Sequence, residues 1–377
     1  MKHATGGLVL LVLLAAAPLQ GAAGVVRLTD NDVNDVLPCA SGTNLAWTRA
    51  RGSGTELIRE VVFYDGNETI VLKLGDDNSD PRLSGSNVVW TSRTEGEPAP
   101  RVALYDGHTV RSLWQCRTNG PAYDISGSHV VWTDGVADAT LPEIFSYDGH
   151  TITRLTSNDV WELNLTVSGP NVAWTVEREG WGNDVFLYDG RTTTQLTPPD
   201  GPAAGYWIRL SGSHVVWHAP DSEFPYDDEI FFYDGSKTIQ LTHNDYWDRY
   251  PEISGSRVVW TSNAPYDANV FLYDGDEVSG IGGGADAWIS GDYVVTRGSR
   301  AHRGIQYYDG HTWTRFFEPW EGAPLDFSFP SVVWSRSDGH DDEIMLFVIP
   351  EPSTLALLDM GAGVLASCTW CRRRRRV

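Results

Sequence analysis

A catalytic side chain normally stands alone, and most of the reactive residues in this sequence do not. Serine precedes glycine at Ser41, Ser84, Ser126, Ser168, Ser211, Ser254 and Ser290, so it reads as a recurring turn residue, and no Gly-x-Ser-x-Gly segment offers a nucleophile elbow. His108, His150 and His311 all follow Tyr-Asp-Gly, and His129 and His214 share one position at the start of an apolar segment. No His-Glu-x-x-His helix or other metal-spaced histidine pair is present. Cys39 and Cys116 are 77 residues apart in different repeats, so their pairing stays open; Cys368 and Cys371 have zinc-like spacing but lack partner ligands. Carboxylates are more numerous, at Asp32 with Asp35, Asp77 with Asp80, Asp159 with Glu162 and Asp245 with Asp248. Two acids about 5–10 Å apart are what glycoside hydrolysis needs, yet periodic placement favours a structural role in turns. The clusters Asp76, Asp77, Asp80 and Asp338, Asp341, Asp342 do not reproduce an EF-hand, so no cofactor is expected beyond weak Ca²⁺ binding.

The aromatic residues that break the repeat carry the best binding signal. Trp161, Trp207 and Trp247 lie four to seven residues ahead of a Ser-Gly pair and Trp288 lies two ahead, with Asp245 and Asp248 beside Trp247. An indole there can stack on a sugar ring or an apolar peptide side chain while the acids accept hydrogen bonds. Packing between repeats is the competing use.

The chain has 377 residues, with 50 acidic and 28 basic, for a net charge of −22. Such a balance repels phosphate backbones, and no basic stripe interrupts it before the C-terminus, which excludes nucleic-acid binding. Residues 1–23 combine Lys2, an apolar run over 8–17 and small residues at Gly21 and Ala23, the pattern of a signal peptide cleaved near Gly24. The last 28 residues run Pro350-Glu351-Pro352, then an apolar stretch over 355–370, then Arg372, Arg373, Arg374, Arg375 and Arg376. This order resembles the PEP-CTERM sorting signal of Gram-negative bacteria. The resemblance implies transient inner-membrane anchoring and removal of the tail by an exosortase during delivery to the cell surface or extracellular matrix. Asp359 departs from an uninterrupted apolar span. Removing +1 from the leader and +3 from the tail leaves −26 for residues 24–349.

That body is one repeat. A Ser-Gly pair, or Ser328 in the last copy, is followed by an apolar triplet such as Val88-Val89-Trp90, with serine spacings of 43, 42, 42, 43, 43, 36 and 38. Tyr-Asp-Gly follows at Tyr64, Tyr105, Tyr147, Tyr188, Tyr233, Tyr273 and Tyr308, a strong hairpin signal, and then Leu-Thr as at Leu155-Thr156. Four short strands per period of about 41 residues define a β-propeller blade. The sequence therefore predicts an all-β, eight-bladed β-propeller, with seven blades as the fallback because 276–300 is irregular. The eighth period stops at Glu343–Val348 without its fourth strand, whereas Val25–Asp32 is an orphan copy of that element. The two are expected to pair and close the ring.

The order Leu-Thr, Asn-Asp, acid and Ser-Gly resembles the TolB-type propeller repeat over almost all of 25–349, although Ser-Gly-Ser replaces the usual Ser-Pro-Asp-Gly turn. The resemblance implies a module that binds proteins or ligands, with some enzymatic relatives. The sequence is read as a non-enzymatic surface or matrix module for polysaccharide, or for a surface or periplasmic protein. The alternative is a polysaccharide lyase or glycoside hydrolase using acids at the channel mouth. A single pocket of non-repeated Asp, His, Arg and Tyr would favour the enzyme.

Overall fold

The Tyr-Asp-Gly segments close hairpins for a local reason. Asp65 Oδ1 accepts the backbone N–H of Asn67 and Glu68, both at 2.8 Å, and the same arrangement recurs at Asp106, Asp148, Asp189, Asp234, Asp274 and Asp309. The following glycine has φ between 86° and 112° at all seven hairpins, which a side chain would resist.

A computed structural model describes residues 14–15 and 24–350, apart from 53–56, 119, 136–140, 179–181, 200–202, 205–206, 221–226, 265–268, 299–303 and 318–324. Its strands form eight antiparallel sheets, one per period. Blades 1 to 7 span 34–72, 77–115, 123–154, 162–195, 208–240, 248–282 and 286–317, and blade 8 combines 325–348 with Val25–Arg27. In every blade the strand leading into Ser-Gly touches its counterparts in both neighbouring blades, all the way round. Those first strands therefore surround the axis, with the Ser-Gly turns at one face and the loops between fourth and first strands at the other.

Closure follows the expected pairing. Val26 stands opposite Leu346, and just beyond, Leu28 N donates to Ile344 O at 2.8 Å while Ile344 N donates to Thr29 Oγ1 at 2.8 Å. Leu155 and Thr156 make the same two bonds to Ile144 inside blade 3, as do Leu241 and Thr242 to Ile230 in blade 5. The N-terminal segment thus reproduces the chemistry of an internal fourth strand. Of the expected leader, only Leu14–Ala15 is described, as a two-residue strand beside Glu68–Leu72. Of the expected sorting signal, Pro350 is described and Glu351, Pro352 and Arg372 to Arg376 lie outside the described residues. Among the described residues no helix is long and apolar enough to cross a membrane.

Blades adhere through indoles and serines. Trp47, Trp90, Trp132, Trp174, Trp217, Trp260 and Trp334 are all buried. Each Ser-Gly serine accepts a backbone N–H from the next blade, from Ser41 to Gly85 N at 2.8 Å round to Ser328 and Gly42 N at 3.0 Å. Eight such bonds complete a circle.

The irregular region still forms complete blades. Val278–Gly282 is the fourth strand of blade 6, with a bulge next to Val270. Its glycines make room: a Cβ on Gly282 would sit 2.8 Å from Trp313 Nε1, and one on Gly284 would sit 2.9 Å from Thr296 Cβ. Trp313 from blade 7 packs into this interface, where Thr296 replaces the usual indole.

Candidate functional site

The residue two positions before each ring serine occupies an equivalent point on a first strand. In order these are Cys39, Arg82, Asp124, Thr166, Arg209, Glu252, Trp288 and Asp326. A turn position repeats across blades; this one does not. Cys39, Arg82, Asp124, Thr166, Arg209 and Asp326 line a cavity of about 600 Å³ on the axis, together with Trp207 and Tyr123. That volume lies within the range of small-ligand sites.

Its charges are held unequally. Arg209 Nε lies 2.9 Å from both Glu252 oxygens, and its guanidinium stacks 4.2 Å from the Trp207 ring. Asp124 accepts Ile125 N at 2.9 Å, Val167 N at 3.0 Å and Thr166 Oγ1 at 3.1 Å, while Asp326 accepts Ala40 N at 2.9 Å. Burial raises the pKa of Asp124, Glu252 and Asp326 alike, opposed by these donors and by the arginines. Arg82 is exposed in the cavity and has no hydrogen bond or ion pair among the described residues, although its charge reaches Asp124, Asp326 and Cys39.

The rim is strained. Leu37, Asp80, Asn164 and Tyr250 have φ of 53°, 58°, 51° and 54°, each four residues before a ring serine and each at a register shift in its first strand. Left-handed geometry costs a leucine or tyrosine about 1–2 kcal/mol, and such strain concentrates at functional sites. Here it turns Leu37 and Tyr250 into solvent, with Tyr250 edge-on to Trp207 at 5.5 Å. His218, 6.0 Å from the Tyr250 ring, is pushed down to about 4 by burial.

Of the aromatic candidates, Trp207 lines the cavity, whereas Trp288 packs on the blade 7 and 8 cluster containing Val295 and Trp334. Trp161 and Trp247 precede the first strands of blades 4 and 6 at matching positions, each about half exposed, with Arg249 4.4 Å over the Trp247 ring. Asp245 is exposed on the same loop as Trp247. Asp248 requires a correction: it is buried, accepts Trp260 Nε1 at 3.2 Å and Asn244 Nδ2 at 2.8 Å, and so supports the blade rather than meeting a ligand. Asp35 holds Trp47 Nε1 at 2.7 Å in the same way, so the periodic acids are structural but serve indoles as well as turns. Cys39 and Cys116 are both buried and unpaired.

Glu162 is the blade 4 counterpart of Asp248. Burial first, and the neighbouring Glu143 carboxylate in addition, push it up to about 7. A carboxyl whose folded pKa is raised stabilises the fold fully below its unfolded pKa near 4.5, and that contribution is lost as pH climbs through about 7. Thermal unfolding of Glu162→Gln is therefore expected to lack a decline on the order of 1–3 kcal/mol between pH 4.5 and 8 that the parent shows. Parallel profiles would count against a raised Glu162.

The cavity residues Arg82, Asp124, Arg209 and Asp326, with Glu252 behind Arg209 and Tyr250 beside Trp207, are not singled out as site candidates by the sequence. Their signal was present nonetheless, as variation at a fixed offset from an invariant serine.

No family model matches the chain, and no curated protein matches it. Solved structures share its fold. The β-propeller domain of the Trilobed protease from Pyrococcus furiosus, described as an open velcro topology, is 12% identical with TM-score 0.53, covering 77% of this chain and 99% of its own. An oligogalacturonate lyase in complex with manganese is 14% identical with TM-score 0.50, covering 92% and 98%. A puromycin-hydrolyzing peptidase of Mycobacterium tuberculosis is 12% identical with TM-score 0.50; 87% of this chain matches 62% of that longer one. The class defined by these observations is the β-propeller, here with eight blades and a ring closed by its N-terminal strand.

Proposed function

We propose that this is an exported propeller, carried to the cell surface or matrix through its C-terminal signal, that binds glycan chains end-on in the axial cavity without turning them over. The observation carrying this reading is a guanidinium, Arg82, that has no hydrogen bond or ion pair among the described residues and is set in one cavity with Asp124, Asp326 and the Trp207 ring. Sugars offer vicinal hydroxyls that donate to carboxylates and accept from a guanidinium, and their apolar faces stack on indoles. The half-exposed Trp161 and Trp247 lie at the same face and can meet sugar units farther along the chain.

A lyase or hydrolase is the second reading, favoured by the gathering of non-repeated Arg, Asp and Tyr in a single cavity. Against it, Asp124 and Asp326 are occupied by backbone donors, and the Tyr123 hydroxyl donates to Asp80 O at 2.5 Å.

A glycan array probed with the purified protein tests both readings. Trp207→Ala and Arg82→Ala are each expected to weaken binding of the array-positive glycan about tenfold, the worth of one stacking or charge-assisted contact. Unchanged binding in both variants would refute the cavity as the site. Shortened or unsaturated products on incubation with the positive glycan would replace the binding reading with the enzymatic one.

A further inference from the structure

Several carboxylates converge where the ring closes, and they outnumber the guanidiniums of Arg27 and Arg336 beside them. Arg27, in the closing strand, places Nη2 2.8 Å from Glu343 Oε1, 2.9 Å from Asp338 Oδ2 and 3.0 Å from Asp30 Oδ1. Asp341 is the fourth acid, and it forms no ion pair with Arg27 among the described residues. The residue is nine-tenths buried, at 9% exposure, and its Oδ2 is enclosed with no hydrogen-bond partner among the described residues. Burial, then the Glu343 and Asp338 carboxylates, raise its pKa. A sequestered carboxylate oxygen with no donor is costly, and a cation removes that cost.

The geometry suits one. An oxygen each from Asp338, Asp341 and Glu343 lie within 4.8 Å of one another. Ligands on a shared Ca²⁺, each at 2.3–2.6 Å, stand up to about 5 Å apart, and Ca²⁺ accepts irregular oxygen sets completed by water. Four acids against two arginines, Arg27 and the Arg336 that stands opposite Glu343, leave a formal −2, which a divalent ion neutralises. Blade 5 repeats Asp341 and Glu343 as the buried Asp227 and Glu229 but has Phe224 in the place of Asp338, and blade 3 has Glu143 but Leu141 in the place of Asp341, so the three-acid set is found at this junction and nowhere else among the described residues.

We propose that Asp338, Asp341 and Glu343 form a divalent-cation site of Ca²⁺ type that fastens the last blade to the N-terminal strand. Glu343 is the shared element: Oε2 binds the Thr29 hydroxyl, and Oε1 accepts Asn31 N at 2.9 Å as well as Arg27. An ion drawing Glu343 and the 338–341 turn together would therefore hold the carboxylate on which the closing strand depends.

Calorimetric titration of the chelator-treated full chain with CaCl₂, MgCl₂ and MnCl₂, alongside thermal unfolding, tests this. One saturable Ca²⁺ event per chain is expected, with Tm raised by several degrees at saturation. Asp341→Asn should lose both effects while unfolding in chelator at or above the parent Tm, since it removes a like charge; a merely structural Asp341 would lower it. Asp76→Asn, an exposed acid elsewhere, should keep both. The absence of saturable binding for all three ions, or binding and stabilisation that survive Asp341→Asn, would overturn the site.

Discussion

Deleting residues 25–31 is expected to destabilise the protein by at least about 5 kcal/mol, read as a lowered midpoint in urea unfolding. The loss has two sources. The segment covers the edge of the last blade, where Val25 packs against the cluster containing Phe347 and Leu28 against the one containing Leu346. It also supplies Arg27, Thr29 and Asn31 to Glu343, which is 1% exposed. A buried carboxylate stripped of its partners costs about 3–5 kcal/mol by itself, and lost apolar burial adds to that. Thr29→Val, which removes only the hydroxyl bonded to Ile344 N and Glu343, should cost about 1–2 kcal/mol. A deletion that shifts the midpoint no more than Thr29→Val would mean the closing strand contributes little to the ring.

Asp35→Ala should cost about 3–5 kcal/mol and leave glycan binding intact. Asp35 is fully buried and accepts Trp47 Nε1 at 2.7 Å, Arg49 Nε at 3.0 Å and Asn31 Nδ2 at 2.7 Å. Truncation leaves Arg49, whose side chain is 10% exposed, without its counter-ion. Asp35→Asn retains an acceptor and should cost less than Asp35→Ala. Equilibrium unfolding and the glycan array measured on the same preparations check both halves; lost binding at retained stability would instead make Asp35 a ligand contact.

The architecture was legible because its instructions are local and repeated. Asp-Gly needs positive φ, Val-Val-Trp fills an interface, and the orphan Leu28-Thr29 matches Leu155-Thr156 bond for bond. The bonding between blades was not legible. Ser-Gly read as a turn, and only the folded ring brings Ser41 to Gly85, because that contact depends on how neighbouring sheets are offset. The cavity was partly legible for a related reason. Trp207 was conspicuous as an aromatic out of period, whereas Arg82 and Asp326 are 244 positions apart in the sequence and meet only through closure. Asp248 misled because an acid beside an exposed tryptophan resembles a ligand pair, while its side chain points inward to Trp260.

The varied first-strand position spells six letters of the axial chamber's wall: Cys39, Arg82, Asp124, Thr166, Arg209 and Asp326. Some letters also bond neighbouring blades, as Asp124 does to Val167 N and Asp326 to Ala40 N, whereas the exposed Arg82 can change with little penalty to folding. If the chamber binds glycans as proposed, its selectivity can drift at such a position by one substitution at a time while the frame stays as it is.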